Sequence, residues 1–108
     1  MEKEFYQTVV ETPEFTKQAD TCMDKTSKES FIDFIAKNPF EGDLISGTGG
    51  ARKIRWSSNS HKGKRGGARV IYYYHNHKMP IFLFTAYGKN QRANISDKEK
   101  NLLKRIIK

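Results

Sequence analysis

The sequence predicts an α+β domain: an antiparallel β-sheet with a helical hairpin ahead of it and a single helix behind it. Three observations predict this. Alternating or apolar runs at 51–56, 68–74 and 81–87 read as consecutive strands. Two helical patterns precede them, and a third, opened by its own capping box, follows. Segments rich in glycine, serine or proline separate the elements. At 108 residues the chain is read as one domain over 1–108, large enough for a modest core without staples.

The elements follow in order. Glu4 to Val10 is aromatic and β-branched, which predicts a first strand with Phe5 and Val9 facing the core. Thr12-Pro13-Glu14 opens a helix: a Thr cap, Pro at the first helical position and an acid in the first turn. This helix is expected to reach Met23 on a thin apolar face of Phe15, Ala19, Cys22 and Met23. A second helix begins near Ser27 and carries Phe31, Ile32, Phe34 and Ile35 at helical spacing. Asn38-Pro39 ends it, because the residue before proline is pushed out of the helical region. Glu41 to Gly50 reads as a loop. It lacks the Gly-Lys-Ser/Thr spacing of a nucleotide-binding loop.

Ala51–Trp56 alternates, with Lys53 and Arg55 on one face and Ile54, Trp56 and Arg52 on the other. Ala68–Tyr74 puts Arg69, Ile71 and Tyr73 on one face and Val70, Tyr72 and Tyr74 on the other. Ile81–Tyr87 is nearly all apolar and reads as a central strand. His75 to Lys78 joins these two as a tight connection. Ser57–Gly67 is too polar and glycine-rich to pack, and is expected to project as a loop. Ser96 to Glu99 forms the capping box of the last helix, whose stripe is Leu102, Leu103, Ile106 and Ile107.

Charge is unevenly distributed. The formal net charge is +8. No Asp or Glu occurs between Asp43 and Asp97, yet that span holds ten of the 20 Lys and Arg residues. Such an acid-free basic zone is expected to meet an anion, and a nucleic acid is the usual one. The faces bearing Lys53, Arg55 and Arg69 gather cations beside Tyr72, Tyr73, Tyr74, Tyr87 and Trp56. Cations fix phosphates and aromatic faces stack splayed bases, as single-stranded RNA requires. A solvated basic face is the plainer alternative.

Other chemistries fit less well. His61, His75 and His77 have no carboxylate near the latter two in sequence, and Cys22 lies far off, so no metal ligand set and no cofactor is expected. No carboxylate pair occurs in the basic zone to hold two catalytic metals. Metal-free RNA cleavage remains within reach. The 2′-hydroxyl attacks the adjacent phosphate while the protein holds in-line geometry, takes the 2′-proton and stabilises the added charge. Crowded lysines become better bases, and arginines stay charged to clamp phosphate. The single cysteine excludes an intramolecular disulfide and suggests a reducing compartment. No apolar run approaches a membrane span, and the N-terminal MEKEF lacks a signal pattern, so no membrane association and a cytoplasmic location are expected.

The stretches GTGGARKIRW, GKRGGARVIYYY and IFLFTAYGKN resemble the RelE/HigB toxin family of type II toxin–antitoxin systems, and within it the HigB-type toxins. The resemblance covers about residues 40–108, with the N-terminal elements matching in topology. It implies a RelE-like fold and a ribosome-dependent mRNA endoribonuclease that cuts A-site codons without metal and inhibits translation. The family's Lys-x-Lys pair falls on Lys53 and Arg55, and its Arg before the hydrophobic strand falls on Arg69. The phosphate-clamping Arg position falls on Asn90 and the base-stacking Tyr position near Ser96. Lys89 or Arg92 can replace the former, Tyr87 or Tyr73 the latter. Arg52, Lys62, Lys64 and Arg65 are then RNA- or ribosome-contacting cations. The implied partners are a cognate HigA-like antitoxin, the 70S ribosome and mRNA. The antitoxin's acidic, partly disordered segment would suit the basic face, and its hydrophobic residues a groove between helices and sheet. Two alternatives stay open: a ParE-like toxin that poisons DNA gyrase, and a non-catalytic RNA- or ribosome-binding module.

Overall fold

The computed structural model describes residues 6–56 and 67–107. Its elements are β1 (Val9–Glu11), α1 (Pro13–Ala19), α2 (Lys25–Lys37), β2 (Asp43–Leu44), β3 (Ala51–Trp56), β4 (Ala68–Tyr73), β5 (Ile81–Gly88) and α3 (Asp97–Ile107). The sheet runs β1-β5-β4-β3-β2. The α+β class and the helix–sheet order expected from the sequence are found. The sheet itself is mixed, because β1 lies parallel to β5 while every other pair is antiparallel.

Local chemistry sets the helix ends. The Thr12 hydroxyl accepts from the Phe15 amide and donates to the Leu83 carbonyl at 2.8 Å, so one cap starts α1 and ties it to β5. That helix stops at Ala19 and turns over Thr21 and Cys22, short of the expected Met23. Asp24, not a serine, caps α2 by accepting from the Ser27 amide at 2.8 Å. The first strand begins at Val9 rather than Glu4; the expected core role of Phe5 lies outside the described residues. Within the segment expected to be loop, Asp43–Leu44 pairs with β3 as an edge strand. The turn behind it bends through Gly47 (φ +82°) and Gly49 (φ +84°), conformations that an L side chain rarely adopts. Thr48 fastens that turn, donating to the Ile45 carbonyl and accepting from the Ala51 amide.

The two faces of the sheet are covered unequally. On one, α1 and α2 bury Phe15, Phe31 and Ile35 against Val70, Tyr72, Ile81 and Leu83. Trp56 closes that core at one end, edge-on to Phe31 at 5.3 Å and beside Phe34 at 5.2 Å, with its Nε1–H donating to the Ser27 carbonyl. The Phe/Ile stripe of α2 is thus spent inside the fold. On the other face α3 packs Leu103 over Ala51, Ile71, Tyr87 and Ile95. Among the described residues this helix leaves part of the face uncovered, and Arg55 is exposed there. Among the described residues, no helix is long and apolar enough to cross a membrane.

A β-bulge in β5 decides what the open face carries. Tyr72 pairs with Leu83 but Ile71 pairs with Thr85, so Phe84 has no residue opposite it. Before the bulge, Ile81 and Leu83 face α1 and α2; beyond it, Ala86 joins that core and Tyr87 turns to the α3 face.

Candidate RNA-contacting face

The open face is built from alternate residues of three strands. Arg55 lies opposite Arg69, and Arg69 opposite Tyr87, so these three form one row across β3, β4 and β5. The next row holds Asp43, Lys53, Ile71 and Thr85. Lys53 and Arg55 are two residues apart on one strand, about 7 Å. The phase of β3 and β4 is the one their alternation predicts.

The turn after β5 folds back onto this face. Its shape depends on Gln91, whose Oε1 accepts from the Gly88 amide at 2.6 Å and whose Nε2 donates to Thr21. This brings the Arg92 guanidinium over the Tyr87 ring, 4.9 Å from its centroid. Arg92 is already engaged: its Nη1 and Nη2 donate to the two carboxylate oxygens of Glu99 at 2.9 and 2.8 Å. Glu99 simultaneously accepts from the Ser96 amide at 2.8 Å, and Ser96 Oγ accepts from the Glu99 amide. The predicted capping box therefore does more than start a helix, because it also fixes a cation at the rim of the row. The hydrogen bond from Arg92 holds the Glu99 carboxyl below its ordinary range despite burial, and the same bond raises Arg92.

Tyr87 is 3% exposed, and its hydroxyl and that of Thr85 are buried without a hydrogen-bond partner among the described residues. Burial pushes the Tyr87 phenol above its ordinary pKa; Arg92 and Arg69 pull the other way without overcoming it. At neutral pH it is a protonated donor beside two arginines. Its ring is too enclosed to serve as an open stacking platform. Lys53 Nζ donates to Asn94 Oδ1 at 3.0 Å, so the same returning turn that carries Arg92 also steadies Lys53.

The structure thus brings together Lys53, Arg55, Arg69, Tyr87 and Arg92. Lys89 is exposed on the turn next to the row, its amide donating to the Gly67 carbonyl. Two expected RNA-contacting residues stand elsewhere. Arg52 is on the α2 side, where Nη1 donates to the Gly42 carbonyl at 2.7 Å and to the Phe40 carbonyl, with the guanidinium against the Phe40 ring at 5.2 Å. Tyr73 is on the open face but four residues along β4 from Arg69, about 13 Å, stacked with His75. It lines an apolar groove of about 880 Å³ with Phe82, Phe84, Leu103 and Ile106. Lys62, Lys64 and Arg65 lie outside the described residues. Asn94 carries no local sequence signal, since its partner Lys53 is distant in the chain, and the same holds for the bond from Gln91 to Thr21. Glu99 is visible in sequence as a cap, and only the fold reveals its grip on Arg92. Burial pushes the Cys22 thiol up to about 11, so it stays protonated.

Residues 8–108 match the family model for the RelE toxin of the RelE / RelB toxin–antitoxin system. The chain belongs to the RelE toxin family. Among solved structures, it is similar to the Escherichia coli toxin RelE, a double arginine-to-alanine mutant in the free state. The TM-score is 0.60 at 17% identity, covering 94% of this chain and 98% of that one. At this identity the likeness speaks for the RelE fold alone. As a toxin of that family, the protein has an antitoxin as its expected counterpart.

Proposed function

We propose that this RelE-family toxin is a ribosome-dependent endoribonuclease that cuts mRNA in the A site without a catalytic metal. The observation that carries the reading is the row Arg55–Arg69–Tyr87 with Lys53 one pleat away on the same open face. In this reading the two arginines hold the scissile phosphate and offset the charge that builds on it. Lys53 exchanges the 2′-proton. The 2′-oxygen–phosphorus bond forms, the phosphorus–5′-oxygen bond breaks, and the 5′-oxygen takes up a proton. The products are a 2′,3′-cyclic phosphate and a 5′-hydroxyl. The protonated Tyr87 phenol, buried under the Arg92 guanidinium and beside Arg69, serves as the neutral floor that holds these cations in place. Arg92 serves as a positioned cation over Tyr87 rather than a mobile clamp. Lys89 and the loop cations Lys62, Lys64 and Arg65 contact substrate or ribosomal RNA.

The finer placement rests on sequence. The run from Gly63 to Tyr74 followed by Tyr87-Gly88-Lys89-Asn90 supports a HigB-type toxin with a HigA-like antitoxin in the cytoplasm. The apolar groove beside Tyr73 suits hydrophobic residues of that antitoxin. A gyrase-poisoning toxin has no need of the clustered strand-face cations.

The test is to induce the protein from a tight promoter and map new 5′ ends inside translated frames, with Arg69→Ala as control. Cuts at a fixed place within codons, lost in Arg69→Ala and missing from untranslated RNA, are the expected result. Growth arrest without cuts refutes the nuclease reading and points to a gyrase-type target.

A further inference from the structure

Beside Lys53, away from the arginine row, the surface opens into a cavity of about 250 Å³ lined in part by Asp43, Ile45, Asn94, Ile95 and Lys100. Three separate pieces of the fold meet there: the edge strand β2, the turn after β5 and the first turn of α3. Asp43 stands opposite Lys53 in the β2–β3 ladder, so its side chain shares the open face. Ile45 and Ile95 supply apolar surface. Among the described residues, no ion pair engages Asp43 or Lys100. Lys53 reaches toward the cavity to meet Asn94.

The charges are mixed, and this selects the ligand. Lys53 and Lys100 alone would make a phosphate site. A carboxylate at the same rim opposes an anion and, being an acceptor only, asks for N–H donors. A planar base laid against this lining, with donors on one edge and acceptors on the other, answers both demands. Guanine alone among the four bases places two adjacent donors, N1–H and N2–H, where one carboxylate can accept both. Its O6 and N7 acceptors on the neighbouring edge suit an ammonium group.

We infer that this cavity is a base-reading subsite that takes the guanine of a nucleotide flanking the scissile phosphate, with Asp43 and Lys100 as the specificity-determining pair. The inference rests on the nuclease reading, which puts the phosphate at Arg55 and Arg69. The base of the adjoining nucleotide then passes Lys53 and enters the cavity. Asn94 holds Lys53 between the two sites.

The test compares cut sites on translated mRNAs for the wild type, Asp43→Asn and Lys100→Met. The wild type is expected to favour G at one fixed position beside the cut by about fivefold or more, the lower range for a good bidentate base contact. Both variants should bring that preference close to even. A bias that persists in both variants, or wild-type cutting without one, overturns the subsite and leaves the nuclease reading intact. A wild type that makes no cuts overturns both. A second measurement guards against misfolding of the variants. In the Arg69→Ala protein, guanosine 3′-monophosphate should shift the NMR signals of Asp43, Asn94 and Lys100 at lower concentration than adenosine, cytidine or uridine 3′-monophosphate. Equal response to all four counts against guanine recognition.

Discussion

Glu99 carries two jobs in one carboxylate, and substitution can separate them. Glu99→Gln keeps an oxygen to accept from the Ser96 amide, so the capping box survives, but it removes the charge gripped by Arg92. Glu99→Ala removes both. The Arg92–Glu99 pair is partly exposed, with side-chain exposures of 37% and 25%, so solvent screens it and its charge contributes about 0.5–1 kcal/mol. Loss of the cap adds about 1 kcal/mol. For a domain of this size each kcal/mol moves Tm by about 4–8 °C. Glu99→Gln should therefore lower Tm by about 2–8 °C at pH 7 and Glu99→Ala by about 6–16 °C. Thermal and urea unfolding in an Arg69→Ala background, chosen so that cells tolerate expression, measures both. The pH dependence supplies the sharper check. Glu99 titrates lower in the folded protein than in the unfolded chain, because Arg92 bonds its charged form. Its stabilisation is complete above the ordinary carboxylate range and drains away as pH falls through the lowered folded value. The stability gap between the parent protein and its Glu99→Gln variant should narrow as pH falls below the ordinary carboxylate range and close once it passes below the lowered folded value. A gap of equal size at pH 7 and at acid pH, or no gap at pH 7, would refute the assignment of charge to this pair.

Other substitutions probe the fold beneath the site. Tyr72→Phe removes a hydroxyl that accepts from the buried Gly42 amide at 2.8 Å and donates to the Pro39 carbonyl at 2.9 Å. Leaving that amide unsatisfied should cost about 1–3 kcal/mol in urea unfolding. Arg52→Ala should reduce stability through the loop carbonyls it holds, while cuts mapped in translated frames keep their positions; altered RNA contact without loss of stability would place Arg52 on the substrate instead. Phe31→Ala should cost about 3–5 kcal/mol, seen as a large shift of the urea midpoint, because Phe31 is fully buried beneath Trp56.

The legible parts of the chain are those where the local pattern and the tertiary environment agree. The amphipathic alternation of 51–56 and 68–74 is enough to put Lys53, Arg55 and Arg69 on one face, since one side of each strand has to be apolar. The run 81–87 is apolar on both sides, so its phase cannot be read from the residues and the bulge at Phe84 stays hidden. The Asp43–Leu44 strand escapes a sequence reading because glycines surround it and only pairing with β3 makes it a strand. The parallel pairing of β1 is invisible in sequence, as both pairings share a two-residue period. Asp24 is easily passed over as the cap of α2 because Ser27 stands closer to the apolar stripe. Asn94 and Glu99 act on Lys53 and Arg92 from outside the basic strands, through contacts that local spacing does not encode.

The lengths of the strands bear on the toxin's fate once it stands alone. The two outermost strands of the sheet span three and two residues, while the inner ones run six to eight. A long exposed border of unpaired amides and carbonyls would invite another copy to zip on, and the next after it. Here, among the described residues, the two border strands themselves offer room for only a few such bonds before the chain turns away. A second copy therefore gains little purchase on either border strand.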